Sequence, residues 1–172
     1  MIVTTSRRPS HLARILCREL VRVIPKSRYV PRGSKTIEEI ASIARELGHD
    51  RAMVINCMSG KPVELRFLQV GQRWQWENAR IEIEEVKLQR NLGLRNKLED
   101  TKIYAQGAKA LGFAEWVEKL LDIKCVDKLP ATGGVALITS EDGLKIQFQV
   151  MPGSKKVGPV FKIAGFGRLY KD

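Results

Sequence analysis

The sequence predicts a mixed α/β fold made of two similar halves with mixed sheets. Apolar residues recur at helical spacing in three stretches, and alternating apolar segments come in pairs joined by turn sequences. The order of helix then hairpin also occurs twice. One hairpin ends on Leu65-Arg-Phe67-Leu-Gln69-Val70-Gly71 and the other on Ile146-Gln-Phe148-Gln-Val150. That recurrence gives one domain over residues 1–172 with approximate halves 1–75 and 76–172, divided around residues 71 to 80. A chain of 172 residues, 44% hydrophobic and 28% charged, is long enough for a real core and reads as globular.

The elements follow in order. Ile2 to Thr5 is a short β-rich opening. Pro9 suits a first helical turn, with Ser10 or Ser6 as the capping oxygen. Leu12, Ile15, Leu16, Leu20, Val23 and Ile24 then share a helix face, and Pro25 stops the helix. Lys26 to Lys35 is a basic loop with room for a short strand at Tyr29-Val30. Thr36 and Glu39 form a capping box for a second helix, which Gly48 ends. A hairpin turns at Ser59-Gly60. The run Ile81, Ile83, Val86, Leu88 changes phase after Ile83, which predicts a bulge or a break. Residues 89 to 110 read largely as loop. A third helix carries Phe113, Trp116, Val117, Leu120 and Leu121. Strands at Val135–Thr139 and Leu144–Val150 follow, then a Pro/Gly loop holding Lys155 and Lys156, then a final strand from Val160 to Tyr170.

The formal charge of +11 is unevenly placed. Residues 1–35 hold nine basic side chains: Arg7, Arg8, Arg14, Arg18, Arg22, Lys26, Arg28, Arg32 and Lys35, against the single acid Glu19. Residues 145–172 hold six more against Asp172, and the middle of the chain is close to neutral. Concentrated positive charge is the footprint of a polyanion binder, and arginine pairs bidentately with phosphate. Anionic membrane is the weaker partner, because no basic segment carries an exposed aromatic or leucine face to insert. Arg14, Arg18 and Arg22 recur every fourth residue and so form one stripe beside the apolar face.

Catalytic motifs fail on inspection. Gly33-Ser34-Lys35-Thr36 lacks the Gly-Lys step and the earlier glycine of a phosphate-binding loop. Gly165-Phe166-Gly167 overlaps an RNA-recognition-motif signature, but Ala164 and Arg168 break it. Cys17, Cys57 and Cys125 are scattered, which argues against disulfides and zinc and for a reducing, intracellular compartment. His11 has no recognised nucleophile partner, and His49 follows the helix-ending Gly48. Glu82, Glu84 and Glu85 read as a solvated strand face. Trp74 and Trp76 share one side of an extended segment near Arg73 and Arg80. Packing between the halves is the expectation there, with base stacking the alternative. No enzyme, cofactor or metal is expected, and neither a signal peptide nor a membrane helix is visible.

The opening Thr4-Thr5-Ser6-Arg7-Arg8-Pro9-Ser10, followed by a basic amphipathic helix, resembles the signature that opens the Brix-domain family of ribosome-biogenesis proteins. The likeness continues through Pro25, Arg32-Gly33, the turn Ser59-Gly60-Lys61-Pro62 and Gly158-Pro159, and so covers essentially the whole chain. It implies two similar halves, each resembling the anticodon-binding domain of class IIa aminoacyl-tRNA synthetases. It also implies non-catalytic binding of rRNA or pre-rRNA during ribosome biogenesis, closest to the small-subunit rRNA-processing subgroup. Eukaryotic members are nucleolar and carry long charged extensions. Their absence here points to an archaeal, cytoplasmic protein, which leaves the protein partners of the eukaryotic members open.

The expected mechanism is phosphate capture by Arg7, Arg8, Arg14, Arg18, Arg22, Lys26, Arg28, Arg32 and Lys35, with Lys155 and Lys156 from the second basic end. About six phosphate contacts would give log K a slope near −4 to −5 against log salt. The alternative is a protein-interaction adaptor whose basic end docks acidic partners, ribosomal or assembly proteins among them.

Overall fold

The computed structural model describes residues 1–89 and 97–170. Along the chain run β1 (Ile2–Thr5), α1 (His11–Val23), β2 (Arg28–Tyr29), α2 (Ile37–Glu46), β3 (Arg51–Met58), β4 (Lys61–Val70) and β5 (Trp74–Lys87). After them come β6 (Thr101–Gln106), α3 (Ala108–Leu121), β7 (Gly133–Thr139), β8 (Leu144–Met151) and β9 (Lys155–Gly167). No helix among the described residues is long and apolar enough to cross a membrane.

Short-range chemistry sets the helix starts. Ser10 accepts from the Ala13 backbone N–H at 3.1 Å and so caps α1. Thr36 and Glu39 close a reciprocal capping box on α2. Gly48, at φ 74°, takes the left-handed position past the end of α2 that a side chain would strain.

All nine strands join one sheet in the order β2-β1-β3-β4-β5-β9-β8-β7-β6. β1 lies parallel to β2 and β3, and β6 lies parallel to β7. Every other neighbouring pair is antiparallel. From β1 or from β6, the path inward is the same: a parallel pair, then two antiparallel steps. The two runs meet where β5 pairs with β9.

The helices divide between the faces of the sheet. α1 and α3 pack on one face in a continuous core that includes Leu16, Leu20, Phe67, Ile81, Phe113, Val117 and Phe161. α2 covers part of the opposite face, where Ile40, Ala41 and Ala44 meet Ile2, Ala52, Leu68 and Val70. Burial of these side chains stabilises each layer by about 1.5–3 kcal/mol per large aliphatic or aromatic residue.

Several expectations need correction. Within the stretch 89–110, read largely as loop, Thr101–Gln106 is β6, and α3 begins at Ala108 rather than near Phe113. Residues 90–96 of that stretch lie outside the described residues. Lys155 and Lys156 open strand β9 instead of sitting in a loop. The phase change after Ile83, by contrast, is the expected bulge: a pair of register shifts inside one continuous strand. That strand, β5, also runs straight through residues 75 and 76.

Candidate nucleic-acid interface

α1 is held on three sides, and this fixes which side faces solvent. Its apolar face lies on the sheet. Near its C-terminal end, Leu98 donates its N–H to the Arg22 carbonyl at 2.8 Å, and Thr101 Oγ1 donates to the Val23 carbonyl at 2.8 Å. The Glu19 carboxylate accepts from the Gln89 N–H at 3.0 and 3.1 Å. Arg14, Arg18 and Arg22 occupy the remaining side, and all three are exposed. Arg18 also lies over the Tyr29 ring, 6.0 Å from its centroid. Burial pushes the Tyr29 hydroxyl pKa up, while Arg18 and Arg14 pull it the other way. None of the described ion pairs involves residues 1–35.

Arg7 and Arg8 sit exposed in the link between β1 and α1, beside the helix N-terminus. Arg8 has φ 57°, an uncommon left-handed conformation for a side-chain-bearing residue. Arg14, Arg18 and Arg22 therefore run along the outer side of α1, with Arg7 and Arg8 exposed in the link before its start.

The other basic residues named from sequence do not join that ridge. Arg32 is only 6% exposed. Its Nε donates to the Lys35 carbonyl at 2.6 Å and its Nη1 to the Thr5 carbonyl at 3.3 Å, so it ties the β2–α2 loop to β1. Burial and the nearby Arg7 lower its pKa. Lys35 is half-buried and reaches the Pro31 carbonyl at 3.4 Å. Arg28 pairs in register with Ile2, whose side chain lies in the core under α2. Strand alternation therefore sends Arg28 to the α2 side. Lys26 is exposed beyond the far end of α1. Lys155 pairs with Val150 and Lys156 with Gln149, so the two lysines point to opposite faces. Lys156 joins Lys87, Lys145 and Lys162 around a shallow cleft of ≈270 Å³. Glu84 and Glu85 sit in the same region, with Glu84 held by Lys162 at 2.6 Å.

Sequence reasoning missed Arg66, and it favoured packing between the halves for Trp74 and Trp76. Trp74 packs against the small core under α2 instead of between halves. Trp76 is 38% exposed, with the Arg66 guanidinium 5.0 Å from its ring centroid. Strand alternation in β4 puts Arg66 on the α2 side, but the bulge opposite Phe67 that brings it to Trp76 leaves no trace in residue spacing. A larger cleft of ≈550 Å³ lies elsewhere, between Arg51, Glu77, Glu115, Trp116, Lys119 and Arg168. Its charges are mixed. Among the described residues, no group of three or more His, Cys, Asp or Glu side chains could hold a metal ion.

No family model matches the chain. A probable Brix domain-containing ribosomal biogenesis protein of Pyrococcus horikoshii is 36% identical over 115 residues, covering 65% of this chain and 51% of that protein. One from Methanopyrus kandleri is 29% identical over 141 residues, covering 81% of this chain and 73% of its own length. The chain thus spans about half the length of the Pyrococcus relatives it matches. The crystal structure of a probable ribosomal biogenesis protein from Aeropyrum pernix K1 matches with a TM-score of 0.81 and 25% identity, over 99% of this chain and 96% of that one. Mil, an archaeal Imp4-like protein, matches with a TM-score of 0.71 at 19% identity, over 98% and 99% of the two chains. At that identity the likeness is one of fold.

Proposed function

The chain is a homologue of the archaeal Brix-domain ribosomal biogenesis proteins, and from that premise we propose that it is a non-catalytic RNA-binding factor of ribosome assembly. Its ligand is rRNA or pre-rRNA, held by phosphate contacts to the ridge of Arg7, Arg8, Arg14, Arg18 and Arg22. The observation that carries this reading is the exposed arginine stripe on α1, whose one acid, Glu19, is bound by the Gln89 N–H. Like charges four residues apart cost a helix a few tenths of a kcal/mol each. A phosphate backbone removes that cost and releases counterions.

The same proposal treats residues 1–172 as one Brix-like domain of two halves, each akin to an anticodon-binding domain, working in the cytoplasm of an archaeal cell. The palindromic strand order supports the halves, with β5 closing the first and β9 the second. Phosphates carry no sequence information, so the ridge positions RNA and selection depends on shape or on unpaired bases.

Crosslinking the protein to RNA in cell extract and mapping the modified peptides tests this. Adducts concentrated in residues 7–22 are expected. Partners that all survive RNase treatment, with no RNA adduct on α1, would replace this reading with a protein adaptor that docks acidic partners.

A further inference from the structure

A second basic feature begins at Arg7, in the link before α1, and extends onto the α2 side of the sheet. Ser6, Arg7, Arg32, Asn56, Arg66 and Trp76 surround a cleft of ≈210 Å³. It is assembled from the β1–α1 link, the β2–α2 loop, α2, β3, β4 and β5, with Ile37 and Val54 completing its lining. In register, Val54 faces Arg66 across β3 and β4, and Leu68 faces Trp76 across β4 and β5. The side of the cleft formed by β3, β4 and β5 is therefore fixed by the sheet.

The polar groups here are unevenly satisfied. Arg66 Nε is buried and has no hydrogen-bond partner. A desolvated donor left unpaired in this way costs about 1–3 kcal/mol. The nearby carboxylates already have partners: Glu64 accepts from the lining residue Asn56, Nδ2 at 2.8 Å, and Glu82 pairs with Arg80 at 2.8 Å. Arg32 uses Nε and Nη1 on backbone carbonyls, and Arg7 is exposed. Three guanidinium groups thus converge without a carboxylate among the residues that line the cleft. Beside them stands an indole that is 38% exposed and backed by Arg66.

We propose that this cleft binds one unpaired nucleotide of single-stranded RNA, the base stacking on Trp76 and the phosphate pairing with Arg7 and Arg66. The volume is below the ≈300 Å³ of sites that take drug-sized ligands, which fits a single flat group better than a peptide segment. A stacked base uses the indole, and a phosphate uses the guanidinium donors. An acidic side chain would use only the second. The proposal rests on the RNA reading above and deepens it: the α1 ridge holds backbone, while the cleft distinguishes unpaired strands from duplex.

The test compares a labelled decauridylate with a labelled RNA duplex of equal length, by fluorescence anisotropy on the full chain. Trp76→Ala should weaken decauridylate binding by roughly 5- to 100-fold, the range of one base stack, and leave duplex affinity unchanged. Trp76→Phe, which keeps a π-face, should restore most of the loss. Arg66→Gln should weaken decauridylate binding as well, and circular dichroism confirms that each variant is folded. If wild type binds both RNAs and Trp76→Ala binds decauridylate as tightly, the cleft assignment is overturned and the ridge stands. Equal weakening of both RNAs also overturns it. If wild type binds neither RNA, the RNA reading falls and takes the cleft with it. Competition by decaglutamate as effective as by unlabelled decauridylate would reassign the cleft to an acidic protein segment.

Discussion

Helices α1 and α3 occupy matching places. Each follows the first strand of its run, β1 or β6, and both bury their apolar sides on the same face of the sheet. Their outward sides differ. α1 presents Arg14, Arg18 and Arg22, and its one acid, Glu19, is engaged by the Gln89 N–H. α3 carries Lys109 and Lys119 against Glu115 and Glu118. Glu118 accepts from the Cys125 N–H at 2.9 Å, and burial together with this carboxylate raises the Cys125 thiol to about 11. The same packing task is thus solved with a cationic stripe in one half and a balanced surface in the other. Packing does not require the arginines, which makes a ligand the better explanation for them.

The comparison can be broken in solution, and salt has the largest effect. Five phosphate contacts along the α1 ridge imply a slope of about −3.5 to −4.5, or roughly a hundred- to five-hundred-fold loss of RNA affinity between 50 and 200 mM salt. Filter binding across that range checks it, and a flat response removes the ridge from the account.

Stability changes come next, and they sharpen how α1 is seated. A Cβ at Gly158 would lie 2.8 Å from Val23 Cγ1 and 3.1 Å from Phe148 Cβ. Gly158→Ala should therefore wedge α1 off β9 and cost about 1–3 kcal/mol, read as a lower melting temperature. Arg32→Ala removes two hydrogen bonds to carbonyls and should also cost about 1–3 kcal/mol, whereas Arg18→Ala should cost almost nothing. Equal melting temperatures for these two arginine variants would contradict the split between anchoring and exposed arginines.

The smallest effect concerns the helix starts. Ser10→Ala deletes the only side-chain cap of α1 and should cost about 1 kcal/mol in denaturant unfolding. α3 starts instead at Gly107, at φ 97°, with no side-chain cap. A Cβ there would meet Ser140 Oγ at 2.4 Å, so Gly107→Ala should destabilise although it removes no hydrogen bond.

What could be read from sequence was local. The caps at Ser10 and Thr36, the turn at Ser59-Gly60 and the helical stripe of arginines depend on neighbours within a few residues, and each is present. β6 was missed because Thr101–Gln106 is a short edge strand whose pairing with β7 is set by distant residues. Lys155 and Lys156 looked like loop because Pro152, Gly153, Gly158 and Pro159 flank them, yet the sheet continues through Val157 to β8. Arg32 looked like its exposed neighbours, and only the fold shows its guanidinium bonded to Thr5 and Lys35. The Arg66–Trp76 contact depends on a bulge between two strands.

The decisive measurement reverses charge on the two matching helices. Arg14→Glu with Arg18→Glu should lower affinity for a structured RNA by about tenfold or more and make the salt slope less negative by roughly 1.5–2. Lys109→Glu with Lys119→Glu should change neither. Equal losses from both pairs, in folded proteins, would mean that net charge alone attracts RNA and that α1 holds no particular place for it.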